Sequence, residues 1–271
     1  LIKIFMLKIK NKIKFSHDEN RMKSEGDVKS SIDKFKKNKN LHTLLKERFS
    51  WMNDYIKNND KGLEVGAAAG FSKYFIKCKN FKISDFSNHD HLDYKNIDAQ
   101  NTGFENEKFD FVISSNMIHH LPFPLIYFEE MHRILKSKGK LIIFDAHCSL
   151  LLQSILILMK HEGFDYTKNV WSKTEPATDK DDLWSGNSAI PYLLFKDLKV
   201  FEEKLGDKFK ILHLKKCECF LFLNSGGVTS KTFYVPLNNF ILKLIIIFDK
   251  CLSRILPSIF ALGYKIVLEK K

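Results

Sequence analysis

Arginine is scarce in this chain of 271 residues, since 40 of its 44 basic residues are lysine. Recognition of guanine bases and phosphate groups favours the planar guanidinium group of arginine. The net charge of +12 is also uneven, because residues 1–61 hold 16 basic and 8 acidic residues and so supply +8 of it. We therefore predict no nucleic-acid partner and interpret the lysine excess as a compositional bias.

Cysteine is infrequent as well, and its spacing is irregular. The five cysteines are odd in number and match no zinc-ligand pattern. This excludes a disulfide-stabilised secreted domain and predicts reduced thiols in a cytoplasmic protein without a metal site.

Long apolar runs are missing, because no segment reaches the roughly 18–20 uninterrupted apolar residues that a membrane-spanning helix needs. The opening residues 1–10 carry lysines within their apolar run and no small-residue cleavage site, so they do not resemble a secretory signal. Residues 240–264 are strongly apolar but are interrupted by four charged residues and a proline. We interpret them as an amphipathic core helix, with contact to a membrane surface as the alternative.

The remaining composition is that of a folded globular protein, with 44% hydrophobic and 28% charged residues. Residues 1–40 are rich in Lys, Asn and Ser and are predicted to form a basic, mobile N-terminal arm. Residues 41–271 then form one domain. Within it, residues 162–192 are rich in Trp, Asp, Pro and Gly and are predicted to be a lid or substrate insert.

Strand-like and helical segments alternate from residue 61 onward. Strands are predicted at 61–66, 81–85, 93–97, 108–115, 140–145, 209–214 and 263–268, and helices at 41–56, 71–78, 122–135, 150–161, 197–205 and 240–256. This alternation predicts an α/β fold, with a doubly wound, mostly parallel, seven-stranded sheet and helices on both faces.

A turn of small residues joins the first predicted sheet strand to the next helix. It runs from Gly66 to Gly70, and small side chains there let a ligand approach the backbone closely. Asp85 ends the next strand, 19 residues after Gly66, near the ~20-residue offset of ribose-binding carboxylates. These features predict a nucleoside site, although the Gly-x-x-x-Gly spacing departs from the dinucleotide fingerprint and no phosphate-loop Gly-Lys-Ser/Thr motif follows.

Several motifs occur in order and at compatible spacing across residues 60–146. They are the segment 63–70, Asp85, Asp98 with Ala99, the segment 109–121 and the segment 130–143. Together they resemble the class I S-adenosylmethionine-dependent methyltransferases. The resemblance implies a Rossmann-like methyltransferase fold with an antiparallel last strand, and S-adenosylmethionine as the cofactor.

The resemblance also implies roles for individual residues. The turn would cradle the methionine part of the cofactor while Glu64 orients it, and Asp85 would hold the ribose hydroxyls. The adenine edge would meet Asp98 and Ala99. The implied cofactor-binding residues are Glu64, Gly66, Ala67, Ala68, Gly70, Asp85, Asp98, Ala99 and Asn116. Ala68 departs from the family, which most often has glycine there, and a positive φ at this position would weaken cofactor binding.

Segments after residue 160 are similar to a bacterial subgroup of small-molecule methyltransferases, although the resemblance does not identify the acceptor. A general base is optional for methyl transfer, because alignment of the reactants supplies much of the rate. A histidine is the natural choice if one is used. The candidates are His120 and His161, with His119 less favoured and with packing or helix capping as the alternative for the pair at 119–120.

The leading hypothesis is therefore a cytoplasmic methyltransferase that uses S-adenosylmethionine and acts on a small metabolite, a lipid precursor or a sugar intermediate. One alternative is a nucleotide-dependent oxidoreductase with an atypical glycine turn. The other is a non-catalytic module that docks to a membrane or a partner protein.

Overall fold

The computed structural model describes residues 7–15, 27–160, 162–182, 185–229 and 231–271. The strands are β1 Lys12–Ile13, β2 Lys61–Val65, β3 Asn80–Ser84, β4 Phe109–Ser115, β5 Leu135–Ala146, β6 Phe164–Asp165, β7 Phe209–Cys217 and β8 Gly263–Lys270. The helices are α1 Val28–Lys37, α2 Lys39–Phe49, α3 Pro124–Ile134, α4 Leu150–Met159, α5 Ile190–Phe195, α6 Leu198–Leu205, α7 Phe220–Leu223, α8 Asn239–Ile255 and α9 Pro257–Phe260. Short 3-10 turns lie at Ser50–Tyr55, Phe71–Tyr74 and Ile118–His120.

Six of the strands form one mixed sheet in the order β3, β2, β4, β5, β8, β7. The first four are parallel to one another, and β8 is antiparallel to both of its neighbours. From β2 the chain moves first to one side, to β3, and then to the other, to β4. The carboxyl ends of β2 and β4 therefore flank the point where the strand order reverses, which is where open α/β sheets bind ligands. The predicted α/β fold and its antiparallel last strand are confirmed.

Both faces of the sheet are covered. Successive residues of a strand point to opposite sides, so each central strand contributes to two buried clusters. Val112 and Ile143 pack into one buried cluster, together with Phe128 of α3. Their neighbours in the sequence, Phe111 and Ile142, pack into a second cluster on the opposite face, which includes residues of α2. Among the described residues, no helix is both long and apolar enough to cross a membrane.

The predicted third strand at 93–97 does not form, so the sheet has six strands rather than seven in the described part of the chain. This segment makes a single isolated bridge, between Ser84 and Tyr94. The Asp93 carboxylate accepts a hydrogen bond from the Ile83 backbone N–H at 2.9 Å, and Asn96 has a φ of +55°. The backbone of this segment bonds to Ile83 and Asp85, and the left-handed turn at Asn96 keeps it from forming a regular strand.

The predicted helix at 71–78 is also wrong, since only the 3-10 turn Phe71–Tyr74 forms. The side chain of Asn53 explains the early end. Its Nδ2 donates to the Phe75 carbonyl at 3.0 Å, and its Oδ1 accepts from the Lys77 N–H at 2.7 Å. These backbone groups are therefore bonded to another part of the chain instead of to a helical turn.

Part of the predicted N-terminal arm is helical. Helix α1 lies within residues 1–40, and its Phe35 is buried against the rings of His42, Phe71 and Phe75. Nearer the start of the chain, β1 pairs with β6, and Lys12 forms an ion pair with Asp165 at 3.3 Å. Residues 1–6 and 16–26 of the predicted arm lie outside the described residues.

Candidate active site

The turn after β2 has an unusual backbone. Gly66, Ala68 and Gly70 all have positive φ, at +71°, +44° and +68°. A Cβ at Gly66 would lie 2.4 Å from Cγ of Met117, so no larger residue fits there without movement. Ala68 therefore has the left-handed conformation that we expected to weaken cofactor binding, and it is strained because its Cβ crowds the backbone.

Asp85 lies against this turn. Its Oδ2 accepts a hydrogen bond from the Ala68 N–H at 2.8 Å, and its Oδ1 accepts one from the Ser87 N–H at 2.8 Å. Each carboxylate oxygen has a second lone pair, so the group can accept further bonds from hydroxyl groups. The side chain is half-buried. The structure thus brings together the turn and the carboxylate that the sequence placed 19 residues after Gly66.

Glu64 is buried beneath the turn, with only 2% of its surface exposed. The Ser72 hydroxyl donates a hydrogen bond to its Oε2. Burial raises the pKa of Glu64 to about 8, although the bond from Ser72 opposes this shift. The carboxyl group is therefore largely protonated at neutral pH, and a bound cation would favour its ionised form.

The other predicted cofactor residues lie at the ends of neighbouring segments. Asn116 follows β4 with a φ of +52°, and its N–H donates to the Phe144 carbonyl at 2.7 Å. Asp98 is half-buried and bonds within its own loop, where its Oδ1 accepts from the Gln100 N–H at 2.8 Å. Ala99 packs into the same buried cluster as Met117. Ala67 is buried, and its N–H donates to the Ser84 carbonyl at 3.0 Å.

A fully buried carboxylate, Asp145, organises the segment after β4. Its Oδ2 accepts hydrogen bonds from the backbone N–H groups of Met117 and Ile118, at 3.1 and 2.8 Å. Its Oδ1 accepts from Nδ1 of His119 at 2.5 Å and from the Ala146 N–H at 2.7 Å. The end of β5 thus fixes the orientation of the His119 ring.

Glu162 completes this arrangement from the predicted insert. Its Oε2 lies 3.3 Å from Nε2 of His119, and its Oε1 lies 3.7 Å from Nε2 of His120. Burial alone would lower the pKa of His119, but the carboxylates of Asp145 and Glu162 outweigh it and raise that pKa to about 10. Burial and the charge of His119 lower the pKa of His120 to about 4. At neutral pH, His119 is therefore protonated and the adjacent His120 is neutral.

The insert covers the two histidines. The Thr178 hydroxyl donates to the His120 carbonyl at 2.9 Å, and the Asn187 N–H donates to the His119 carbonyl at 2.8 Å. His161, the other predicted catalytic residue, lies outside the described residues. Glu162 is not among the sequence-predicted site residues, and His119 was less favoured than His120 as a base. No local sequence pattern marks the contacts of Glu162 with His119 and His120, because each joins residues more than 40 positions apart.

A separate cavity of about 1120 Å³ lies beside β7 and β8, away from the small-residue turn. Trp51, His213 and Lys265 contribute to its lining. It contains none of the predicted cofactor residues. Its chemistry is therefore distinct from that of the strand ends, where the motif residues meet.

Residues 67–143 match a family described as a methyltransferase domain. Among solved structures, the chain is similar to a SAM-dependent methyltransferase from Archaeoglobus fulgidus, with 18% identity over 84% of this chain and 93% of that one and a TM-score of 0.48. It is also similar to a SAM-dependent methyltransferase from Thermotoga maritima, with 17% identity over 91% and 98% of the two chains and a TM-score of 0.45. The search of curated proteins gave no match.

The matched family segment contains Asp85, Asp98, Ala99 and Asn116, and it begins inside the small-residue turn. Neither structural likeness bears on activity at such identities and scores, so the family segment and the motifs carry the assignment. They agree with the predicted enzyme class and cofactor: residues 67–143 match a methyltransferase domain, and such a domain implies S-adenosylmethionine as its cofactor.

Proposed function

We propose that this cytoplasmic enzyme transfers the methyl group of S-adenosylmethionine to a small acceptor, which is a metabolite, a lipid precursor or a sugar intermediate. The observation that supports this most strongly is the bond from the Ala68 N–H to Asp85. It places a carboxylate with free lone pairs beside a small-residue turn, at the point where the strand order reverses. Nucleic acid is not among the proposed acceptors.

The cofactor would lie across the carboxyl ends of β2, β3 and β4. Gly66, Ala67, Ala68 and Gly70 would contact its methionine part, and Asp85 would accept hydrogen bonds from the ribose hydroxyls. Glu64, once ionised by the cofactor's ammonium group, would orient the amino-acid end. Asp98, Ala99 and Asn116 would surround the adenine. Each proposed role uses a donor or acceptor that the residue type supplies.

The acceptor would approach from the side of the insert, where His120 lies. The ring of His120 is neutral at neutral pH and packs against the His119 ring, with 4.2 Å between their centroids. We place His120 and His161 in contact with the acceptor. Alignment of acceptor, methyl group and sulfur contributes on the order of 7–11 kcal/mol to lowering such barriers, so a strong base is not required.

Calorimetric titration with S-adenosylhomocysteine tests the cofactor site. We expect binding by the wild-type chain, at least a tenfold weaker Kd for Asp85→Ala, and an unchanged Kd for Asp90→Ala. Asp90 is a matched control because it is exposed in the same loop and pairs with Lys95 at 2.7 Å. No binding to well-folded wild-type protein, or an equal effect of the two variants, would contradict the proposal.

A second feature favours contact with a membrane surface, the alternative interpretation of residues 240–264. Helix α8 is held to the domain by one side, where Leu242 is buried and Asp249 accepts hydrogen bonds from three backbone N–H groups at the start of α7. Its other side is exposed and apolar, and it carries Phe240, Leu244, Ile247, Phe248 and Ile255. Ile247, for example, is 65% exposed.

Basic residues border this apolar side. Lys243, Lys250 and Arg254 are exposed and recur at spacings of seven and four, so they lie along one flank of α8. An apolar stripe with a basic flank suits a helix that lies in the plane of a membrane surface. We therefore propose an anionic lipid surface as the occupant, because its charge complements the flank. A membrane-bound enzyme of this kind would suit an acceptor of the lipid-precursor class.

Flotation with liposomes tests this second proposal. We expect the wild-type chain to float with vesicles that contain phosphatidylserine and not with pure phosphatidylcholine vesicles. The double variant Ile247→Ser with Phe248→Ser should lose flotation. Leu158→Ser is the matched control, because Leu158 is an exposed apolar residue on a different helix, α4. Unchanged flotation of the double variant would overturn the membrane assignment. So would a wild-type chain that forms a dimer through this surface and does not float.

A further inference from the structure

We propose that His119, His120 and Glu162 form a binding site for a divalent transition-metal ion. The nitrogen and oxygen atoms that they offer all lie within 4.8 Å of one another. The two contacts to Glu162 are 3.3 and 3.7 Å long. In a tetrahedral zinc site, bonds of about 2.0–2.1 Å place the ligand atoms about 3.3 Å apart. The two histidine–glutamate distances are therefore close to the separation that a shared ion requires, and small side-chain shifts would bring the two histidine nitrogens, which lie within 4.8 Å, to it as well.

Asp145 prepares His119 for this role. Because Nδ1 of His119 donates to Asp145, an ion that displaces the second proton of the ring would find the lone pair on Nε2, the atom that faces Glu162. Metal-ligating histidines commonly donate their second nitrogen to a carboxylate in this way. Asp145 also accepts bonds from three backbone N–H groups, so it is held as an orienting group.

The short contact between His119 and Glu162 requires a positive charge. A nitrogen lone pair and a carboxylate oxygen, both acceptors, repel each other at 3.3 Å unless a proton or a metal ion lies between them. His120 supplies the observation that favours an ion. Its Nε2 also faces Glu162, so one ion could serve both rings, whereas a proton on His119 serves only one.

Two of the three side chains in the cluster are partly exposed. His119 is buried, but 26% of the His120 side chain and 18% of the Glu162 side chain are exposed. A Cβ at Gly186 would lie 3.3 Å from His120 and 3.1 Å from Glu162, so the insert packs closely on the closed side. Two histidines and one glutamate are a donor set of catalytic zinc sites, in which water or a substrate takes the fourth position. Imidazole ligands also favour zinc and its neighbours over magnesium or calcium.

The position suggests what the ion would bind. The two histidines follow Met117, which contacts the proposed cofactor turn at Gly66. An ion there would hold an oxygen atom of the acceptor and lower the pKa of its hydroxyl group. This role rests on the proposed methyl transfer, whereas the metal site itself rests only on the three side chains. The inferred acceptor class is a compound with a metal-binding hydroxyl or carboxylate oxygen.

Titration with zinc tests the site directly. Chelator-treated protein is titrated calorimetrically with Zn²⁺, and Co²⁺ is added separately to record its visible absorption. We expect one ion per chain, and a Kd at least tenfold weaker for Glu162→Gln and for His119→Gln. Glu175→Gln should match the wild type, because Glu175 is an exposed glutamate in the same insert.

Each variant is also titrated with S-adenosylhomocysteine, which reports whether it is folded and whether the cofactor site is intact. Retained cofactor binding with no stoichiometric zinc binding by the wild type would overturn the metal site and leave a proton between His119 and Glu162. Zinc binding that Glu162→Gln does not weaken would also overturn it. Zinc binding without cofactor binding would contradict the proposed methyl transfer and leave the metal site standing.

Discussion

Gly66 and Met117 meet at the carboxyl ends of neighbouring strands, where a Cβ on the glycine would lie 2.4 Å from Cγ of the methionine. The small-residue turn and the segment after β4 are therefore packed directly together. A change in one shifts the other, and both would border the cofactor.

Gly66→Ala should lower the free energy of unfolding by about 2–5 kcal/mol. A positive φ costs a side-chain residue roughly 1–2 kcal/mol, and the overlap with Met117 adds on the order of 1–3 kcal/mol. Gly103→Ala is the matched control, because Gly103 has a φ of +69° but nothing within 4 Å of its Cβ position. In urea denaturation, Gly103→Ala should lose only the roughly 1–2 kcal/mol that a positive φ costs. Equal losses for the two variants would mean that the contact with Met117 is unimportant.

Ala68→Gly should bind S-adenosylhomocysteine more tightly than the wild type and raise the free energy of unfolding by up to about 1 kcal/mol. The substitution removes the strain of a φ of +44°, and the extra backbone entropy of glycine offsets part of the gain. Ala67→Gly, one residue earlier, should instead lower stability by roughly 0.5–1 kcal/mol. Calorimetry and thermal unfolding of both variants check this, and a destabilised Ala68→Gly would contradict it.

Glu64 should make the stability of the protein fall as pH rises from about 5 to about 8. Its folded pKa of about 8 lies above the unfolded value near 4.5, so in this range the folded chain holds a proton that the unfolded chain has lost. The decline is at most about 1.4 kcal/mol per pH unit. Glu64→Gln cannot release that proton, so its unfolding free energy, measured in urea at several pH values, should decline less steeply. Parallel curves would refute the assignment.

Asp145→Asn should lower the free energy of unfolding by about 3–5 kcal/mol. It removes the buried negative charge beside His119 and weakens bonds to three backbone N–H groups. Asp110→Asn is the control, because Asp110 is partly exposed and bonds Lys61 and Lys136 near the surface. The free energy of unfolding of Asp110→Asn should fall by no more than about 1 kcal/mol. Comparable losses in urea denaturation would show that Asp145 is not an organising group.

The sequence predicts best those parts of the molecule that depend on local pattern. Strand β4 has an apolar centre, Phe111–Ile113, and helix α3 begins at Pro124, so both form close to where we expected them. The segment after Gly70 fails because its backbone bonds to Asn53, a residue 22 positions away from Phe75. The role of Glu162 was equally hidden, since only the folded insert brings it to His119.

Strand β8 lies between β5 and β7, although it is the last of the six sheet strands along the chain. Ile266, for instance, pairs with Ile143 on one side and Leu214 on the other. During synthesis on the ribosome, β7 therefore has no neighbour until residues 263–270 emerge. We expect chaperones to protect the β5 edge of the nascent sheet during that interval, because an unpaired strand edge promotes aggregation.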